Sequence, residues 1–184
     1  MTSENDIVKK AGKKDLESFK LLVGKYSRWL LALSSTICGK EDAEEIGQEI
    51  WIIVWEKLGK LEDPSKFKSW LRTIVIRESL KRKRSHLKIA SGNNEIEVDS
   101  LETEVASTDK VISARRQLLA ILTHISPEQR LTLFLSEVEG MSIKEIADEL
   151  GLPEGTVKSR LHNTKKKLND VSDIKQGKQE AAYV

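Results

Sequence analysis

The sequence has few residues that break helices or cross-link a small fold. Its 184 residues include three prolines, ten glycines and a single cysteine, Cys38. One thiol excludes an internal disulfide and a cysteine-based zinc site, and it predicts a reducing cytosol. The scarcity of proline and glycine predicts long helices.

Several functional signals are also missing. No apolar run approaches the roughly 20 residues that span a bilayer, and the polar N-terminus is unlike a secretory signal, so we expect a cytoplasmic protein. There is no phosphate-binding glycine loop or nucleophile elbow. The three histidines, His86, His124 and His162, are scattered without acidic partners at ligand spacing. We therefore predict no catalysis, no metal and no cofactor.

Helical periodicity dominates the sequence on both sides of an acidic segment. Residues 91–110 hold six acids and one base, a local charge of −5, with no aromatic residue. Such composition favours a flexible linker over a loop within one domain. The prediction is an all-α chain of two small helical domains, 6–90 and 113–170. An acidic linker, 91–112, joins them, and a tail, 171–184, follows.

The second domain is predicted to begin with a helix over 113–125. Ser126, Pro127 and Gln129 then supply a cap, a first-turn proline and a capping-box glutamine for the next helix.

A helix-turn-helix is predicted near the end of the second domain. Ser142 and Glu145 form an S-x-x-E capping box that starts a short helix, and Gly151 ends it. A second helix, 153–168, begins within a few residues, and this tight connection is typical of DNA-binding helix pairs. Its polar face carries small and basic residues. The alternative is an ordinary amphipathic helix with a solvated basic face.

The first domain carries two further patterns. Helix 43–58 has a strip that mixes carboxylates, an amide and apolar groups, which suits a protein interface. Trp51 is expected in the core, whereas Trp55 fits either the core or the strip. The next helix, 67–84, leads into six bases between Arg77 and Lys88 with one acid among them, which predicts attraction to phosphates. A solvated charged face is the alternative.

These patterns resemble the sigma-70 family of bacterial RNA polymerase sigma factors. SIKEIADELGLPEGTVKSRLHNTKKKL is similar to sigma region 4 and also to the output helix-turn-helix of LuxR-type response regulators. EDAEEIGQEIWIIVWEKL and FKSWLRTIVIRESLKRKR resemble sigma region 2, whereas nothing resembles a receiver domain. Two sigma-like parts in the correct order favour a small sigma factor of the extracytoplasmic-function type.

The resemblance implies three binding surfaces. The core-polymerase surface would comprise Glu45, Gln48, Glu49, Ile52 and Trp55. The surface for the minus-10 strand would comprise Arg72, Arg77, Ser79, Lys81, Arg82 and Arg84. The surface for the minus-35 element would comprise Thr156, Lys158, Ser159, Arg160, His162, Asn163 and Lys166.

The implied partners are promoter DNA and core RNA polymerase, through the clamp coiled coil of its largest subunit and the flap region of its second-largest subunit. Members of the family also commonly have an anti-sigma factor. Arg77 stands where these sigma factors usually have asparagine, and Trp70-Leu71 stands where primary sigma factors have a tryptophan pair. Two alternatives are a stand-alone helix-turn-helix regulator and a sigma-like polymerase adaptor that reads no DNA.

Overall fold

The chain, described from a computed structural model, forms two compact helical units. Unit 1 is Met1–Ile96 and unit 2 is Glu97–Val184. The structure describes residues 3–90 and 124–180, and these contain no strand, which confirms the all-helical prediction. The predicted linker and nearly all of the predicted helix at 113–125 lie outside the described residues. The predicted domain boundaries therefore stay predictions.

Within residues 3–90, unit 1 contains four α-helices around one apolar core. They are α1 (Glu4–Gly12), α2 (Leu16–Cys38), α3 (Lys40–Lys57) and α4 (Phe67–Ala90). Helix α2 packs against each of the other three. It contributes an apolar stripe at helical spacing, including Leu22, Leu30, Leu33 and Ile37, all at most 2% exposed.

The connection between α3 and α4 follows the predicted break. The Asp63 carboxylate accepts a hydrogen bond from the Ser65 backbone amide at 3.0 Å, and Pro64 opens the short 3-10 helix Pro64–Lys66. Helix α4 begins directly afterwards with Phe67, which is 1% exposed. This buried ring anchors the first turn of the helix that carries the basic run.

The described part of unit 2 contains helices α5 (Pro127–Glu137), α6 (Ile143–Leu150) and α7 (Glu154–Glu180). Both predicted capping boxes are confirmed, because Ser126 pairs with Gln129 and Ser142 pairs with Glu145 in the reciprocal pattern. Gly151 ends α6 with φ 64° and ψ 38°, in the left-handed region that glycine enters without strain. Helix α7 then starts within three residues, as predicted.

Helix α7 is longer than the sequence pattern predicted. The apolar spacing predicts a helix that ends at 168, but the helix continues through Glu180. Residues 169–180 contain no proline and only one glycine, so nothing in their backbone chemistry stops the helix. The first ten residues of the predicted tail, 171–180, are therefore helical.

Candidate functional site

Helix α3 presents an exposed strip of mixed chemistry. Glu45, Gln48 and Glu49 are exposed, and Ile52 is 60% exposed, one of the most exposed large apolar side chains described. The opposite face carries Ile46, Ile50 and Val54, which are buried in the core. Because burial fixes the rotation of the helix, the carboxylates and Ile52 must face outward. An exposed apolar side chain among acceptor groups suits a protein partner.

Trp55 and Trp51 mark the border between this strip and the core. Both are half-buried, and both stack edge-on against Phe19, with ring centroids 4.7 Å and 5.8 Å away respectively. The Trp51 indole N–H donates to Ser27 Oγ at 3.1 Å, so Trp51 is at the edge of the core. The Lys14 ammonium donates to the Trp55 backbone carbonyl, and its Nζ lies 4.8 Å from the centroid of the Trp55 ring. This cation–π contact holds the Trp55 indole at the surface.

Three carboxylates of α3 converge on Arg82 of α4. Arg82 Nη1 donates to Glu45 Oε2 at 2.9 Å, and Nη2 donates to Glu49 Oε1 at 2.7 Å. Asp42 Oδ1 lies 3.9 Å from Nη1. The hydrogen bond that Arg82 donates to Glu45 and the negative charge of Glu49 raise the pKa of Arg82 above its ordinary value. This cluster joins two residues predicted to bind polymerase with one predicted to bind DNA.

Sequence reasoning missed Asp42 and the cluster as a whole. The signal was present in α3, because Asp42, Glu45 and Glu49 are three and four residues apart and so share one helix face. Nothing in the sequence paired that face with Arg82, since 33 residues separate Arg82 from Glu49. Only the packing of α4 against α3 brings the groups together.

Carboxylates also engage other bases of the run on α4. Arg77 donates from Nε and Nη2 to Glu78 Oε1 at 3.0 and 2.9 Å. Lys81 Nζ lies 3.6 Å from the other oxygen of Glu78, whose side chain is only 11% exposed. Both cations remain largely exposed, with side-chain exposures of 61% for Arg77 and 78% for Lys81. Arg84 is exposed and Arg72 is half-buried.

Ser79 is the predicted minus-10 contact that the structure places in the core. It is completely buried, and its hydroxyl has no hydrogen-bond partner. Leu71 and Val75, eight and four residues earlier, are also fully buried, so all three share the inner face of α4. A nucleic-acid strand on the surface cannot reach that hydroxyl in this conformation. Counting along the basic run overlooked the rotation of the helix.

Helix α7 exposes most of its predicted DNA-binding face. Val157 and Thr164 are fully buried, which fixes the rotation of the helix. The buried Thr164 hydroxyl donates to the Arg160 carbonyl at 2.6 Å, which satisfies it within the helix. The exposed predicted residues are Thr156, Lys158, Ser159, His162, Asn163 and Lys166. They form a short polar and basic surface at the start of α7.

Arg160 is placed differently from the other predicted minus-35 residues. It is half-buried, and its Nη1 donates to Thr132 Oγ1 of α5 at 3.4 Å, which directs the guanidinium toward the packed side of the helix. Two lysines beside the exposed face also have partners. Lys165 lies 2.8 Å from Glu137, and Lys167 donates to the His124 carbonyl at 3.1 Å. These contacts tie α7 to neighbouring backbone and helix α5.

The described residues include one free cysteine, Cys38, and no cluster of metal-binding side chains. Burial, and then the charge of Asp42, raises the pKa of the Cys38 thiol to about 11, so it stays protonated near neutral pH. Within 3–90 and 124–180, no group of three or more histidine, cysteine or acidic side chains could hold a metal ion. In the same ranges, no helix is long and apolar enough to cross a membrane.

The sequence matches two protein-family descriptions, one in each half. Residues 22–88 match Sigma-70 region 2, and residues 115–168 match Sigma-70, region 4. Together the matches cover more than half of the chain. The first contains the strip on α3 and the basic run on α4, and the second contains the helix pair α6 and α7.

Similar curated proteins carry consistent names. The chain is 28% identical over 159 residues to the ECF RNA polymerase sigma factor SigE of Mycolicibacterium smegmatis, covering 84% of this chain but only 62% of that longer protein. It is 27% identical to the RNA polymerase sigma-H factor of Pseudomonas aeruginosa, covering 92% of this chain and 94% of that protein. The ECF RNA polymerase sigma-E factor of Escherichia coli K12 is 25% identical, with coverages of 89% and 91%.

Solved structures share the fold. The sigma factor RpoE of Bartonella quintana, in complex with the anti-sigma factor NepR, matches with a TM-score of 0.70 and 23% identity, over 86% of this chain and 98% of that one. CnrH, in complex with the cytosolic domain of CnrY, matches with a TM-score of 0.62 and 21% identity, over 94% and 99%. At these identities, the likeness supports the helical architecture.

Proposed function

The chain belongs to the sigma-70 family of RNA polymerase sigma factors, extracytoplasmic-function type, and from this premise we propose that it directs promoter-specific transcription initiation. It would bind core RNA polymerase through unit 1 and recognise the minus-10 and minus-35 promoter elements with units 1 and 2 respectively. One observation carries the proposal: three surfaces occur in a single chain. These are the exposed strip on α3, the basic run on α4 and the exposed polar face of α7.

The proposed core-polymerase surface lies on α3. Glu45, Gln48, Glu49 and Ile52 supply exposed acceptors around an apolar side chain, and Trp55 adds a half-buried indole at one end. Acceptors around an apolar centre give both affinity and orientation in protein interfaces. We assign this surface to the clamp coiled coil of the largest subunit, as the family resemblance implies. Unit 2 would dock near the flap region of the second-largest subunit.

The proposed minus-10 surface uses the outward face of α4. Arg72, Arg77, Lys81 and Arg84 are at least partly exposed and would attract the phosphates of the unwound strand. Bases flipped from the stack would be captured there, which stabilises the open promoter. Ser79 is left out of this surface because it is buried, and Arg82 has a different assignment below.

The proposed minus-35 surface is the start of α7. Its small residues permit close approach to the major groove, and its exposed polar groups can reach base edges. The surface comprises Thr156, Lys158, Ser159, His162, Asn163 and Lys166. Arg160 is assigned to holding α7 against α5 through Thr132.

The remaining assignments follow from this role. The chain would perform no catalysis itself, because the polymerase supplies the chemistry of RNA synthesis. It would act in the cytoplasm, where polymerase and DNA are found. The similar sigma factor RpoE is known in complex with an anti-sigma factor, and we propose that this chain has such a partner too. The proposed domains are 6–90 and 113–170, with the linker 91–112 and the tail 171–184.

Promoter-dependent transcription tests the proposal directly. Purified chain and core polymerase would be incubated with fragmented genomic DNA, and transcript starts would be mapped by sequencing. Discrete starts that share two spaced upstream motifs are expected. Co-elution with polymerase without such starts would favour the adaptor. Duplex DNA binding without co-elution would favour a stand-alone regulator, and either result would contradict the proposal.

A further inference from the structure

Arg82 differs from the other bases of α4 in how deeply it is held. Its side chain is 17% exposed, compared with 61% for Arg77 and 78% for Lys81. Its two terminal nitrogens bond to different carboxylates of α3, at 2.9 and 2.7 Å. Charge-assisted bonds from both prongs of a planar guanidinium fix both geometry and orientation.

The carboxylates that hold Arg82 remain accessible. The side chains of Glu45 and Glu49 are 67% and 51% exposed although both bond to the guanidinium. Arg82 engages Oε2 of Glu45 and Oε1 of Glu49, one oxygen of each. A carboxylate has about four lone-pair sites, so each retains acceptor capacity for a partner.

We propose that Arg82 is a positioning residue of the core-polymerase surface, which orients Glu45 and Glu49 for binding, and is not a contact for the minus-10 strand. This inference rests on the function proposed above. It removes Arg82 from the surface that the sequence pattern assigned to it. It also extends the polymerase surface from α3 to α4 through a residue that does not itself need to touch the polymerase.

The physical reason is preorganisation. A glutamate loses side-chain freedom when a partner fixes it, and this cost lowers the affinity of an interface. Arg82 fixes two glutamates before the partner arrives, so the cost is met during folding. A nucleic-acid strand would have to take Arg82 from three acidic side chains, because Asp42 also lies 3.9 Å away. If Arg82 bound a DNA phosphate instead, the three carboxylates would lose the cation that they share.

Polymerase affinity separates this role from DNA contact. The dissociation constant for purified core polymerase would be measured for the wild-type chain, Arg82→Gln and Arg82→Lys. We expect Arg82→Gln to weaken binding about tenfold, because two side chains lose their fixed orientation. Arg82→Lys should recover only part of the affinity, since one ammonium cannot reproduce the two-pronged bond. Arg28→Gln, at an exposed arginine of α2, is the matched control.

Strand capture supplies the opposite readout. With polymerase at saturating concentration, Arg82→Gln should bind a fluorescent single-stranded oligonucleotide of the mapped minus-10 sequence as the wild type does. Arg84→Gln, two residues further along α4 and exposed, should lower that binding. Unchanged polymerase affinity with lost strand capture in Arg82→Gln would overturn the inference. Tighter polymerase binding would also overturn it, because Arg82 would then compete with the partner.

The free chain provides a test that requires no polymerase. In ¹⁵N spectra of arginine side chains, the Arg82 guanidinium should give signals protected from exchange, and Glu49→Gln should remove the protection. Circular dichroism would confirm that each variant keeps its helices. Rapid exchange of the Arg82 guanidinium protons in the wild type would refute the proposed role of Arg82 in fixing Glu45 and Glu49. A wild-type chain without polymerase affinity would instead defeat the proposed function, and the positioning role with it.

Discussion

The two helices proposed to meet DNA carry their charges in different ways. On α4, the cations Arg77, Lys81 and Arg82 all lie within 4 Å of carboxylates from α3 or α4 itself. On α7, Lys158, His162 and Lys166 are exposed at the proposed reading surface, and the lysine with an acidic partner, Lys165, is outside that surface. The number of bases in a segment is therefore a poor measure of its positive potential.

This difference has a functional reading. Under the proposed function, flipped bases on α4 would be bound by stacking and hydrogen bonds as well as by charge, so partial neutralisation would limit nonspecific attachment to phosphates. A helix that enters a groove needs its polar groups unobstructed. The following experiments test the contrast, beginning with the largest expected effect.

Reversing one carboxylate of the cluster should have the largest effect. Glu49→Lys removes an acceptor of Arg82 and places a second cation beside it. We expect polymerase affinity to fall roughly 100-fold, in line with ~2–5 kcal/mol for a broken interfacial charge pair. Titration of core polymerase by fluorescence anisotropy would measure it. Glu17→Lys, at an exposed acid of α2, is the charge-matched control.

The double variant Glu49→Lys with Arg82→Glu sharpens this test. It restores an attractive pair between α3 and α4 but inverts the charge on the polymerase surface. Thermal stability should recover only in part, because Asp42 and Glu45 would face the new carboxylate, while polymerase affinity stays low. Recovered affinity would contradict a direct role for the Glu49 carboxylate.

Removing a charge from each helix compares their exposure to DNA. Lys158→Gln should reduce the slope of log affinity against log salt by about 1 for holoenzyme binding to promoter duplex. Arg77→Gln should reduce it less, because Glu78 already offsets that charge. Lys165→Gln is the control on α7, since its ammonium lies 2.8 Å from Glu137. Equal slope changes for Lys158 and Arg77 would contradict the contrast.

The capping box at the start of α6 stabilises the helix pair that includes α7. Ser142→Ala removes the acceptor for the Glu145 amide at the start of α6 and should cost about 1 kcal/mol of unit 2 stability. Urea unfolding of the full chain would measure the change, and Ser142→Asn should restore most of it because asparagine also caps helices. No loss in Ser142→Ala would show that packing alone holds the helix pair.

Acid sensitivity of unit 1 should show the smallest effect. Hydrogen bonds from Lys25 and then Tyr26 lower the pKa of Glu4 below its ordinary 4.5. The stabilisation is therefore fully present above about pH 4.5 and is lost as pH falls through the lower pKa of the folded state. Because Glu4 is 38% exposed, solvent limits the effect to a few tenths of a kcal/mol.

Glu4→Gln should reduce the fall in the free energy of unfolding between about pH 4.5 and pH 3. Urea unfolding followed between pH 7 and pH 3 would measure it, with Glu17→Gln as a control at a solvated acid. A curve identical to that of the wild type would contradict the role assigned to Glu4.

Local signals predicted much of unit 2. The boxes at Ser126 and Ser142, the end of α6 at Gly151 and the abrupt start of α7 all depend on residues within four positions of one another. Side-chain capping and left-handed glycine are short-range chemistry, so the sequence contains them directly. The length of α7 was missed because apolar spacing marks packing contacts and not the continuation of a helix.

Three residues of the predicted site lie in surroundings that the sequence did not indicate. Ser79 and Arg82 were both placed on a DNA surface because they lie within or beside a run of bases. Ser79 lies on the buried face of α4 together with Leu71 and Val75. Because α3 packs against α4, Arg82 donates hydrogen bonds to Glu45 and Glu49. Arg160 likewise donates a hydrogen bond to Thr132 of α5. Helix packing decided the surroundings of all three side chains.

The sequence by itself determined the all-helical class, the caps at Ser126 and Ser142, the order of the two sigma-like regions and the outward face of α3. These follow from periodicity and from hydrogen bonds between near neighbours, which the order of residues encodes without reference to distant segments. Only the tertiary structure decided which charges are available. Arg82 and its carboxylates are 33 or more residues apart, and helix packing alone makes them partners. An ion pair is set by distance in space, and linear order does not contain that distance.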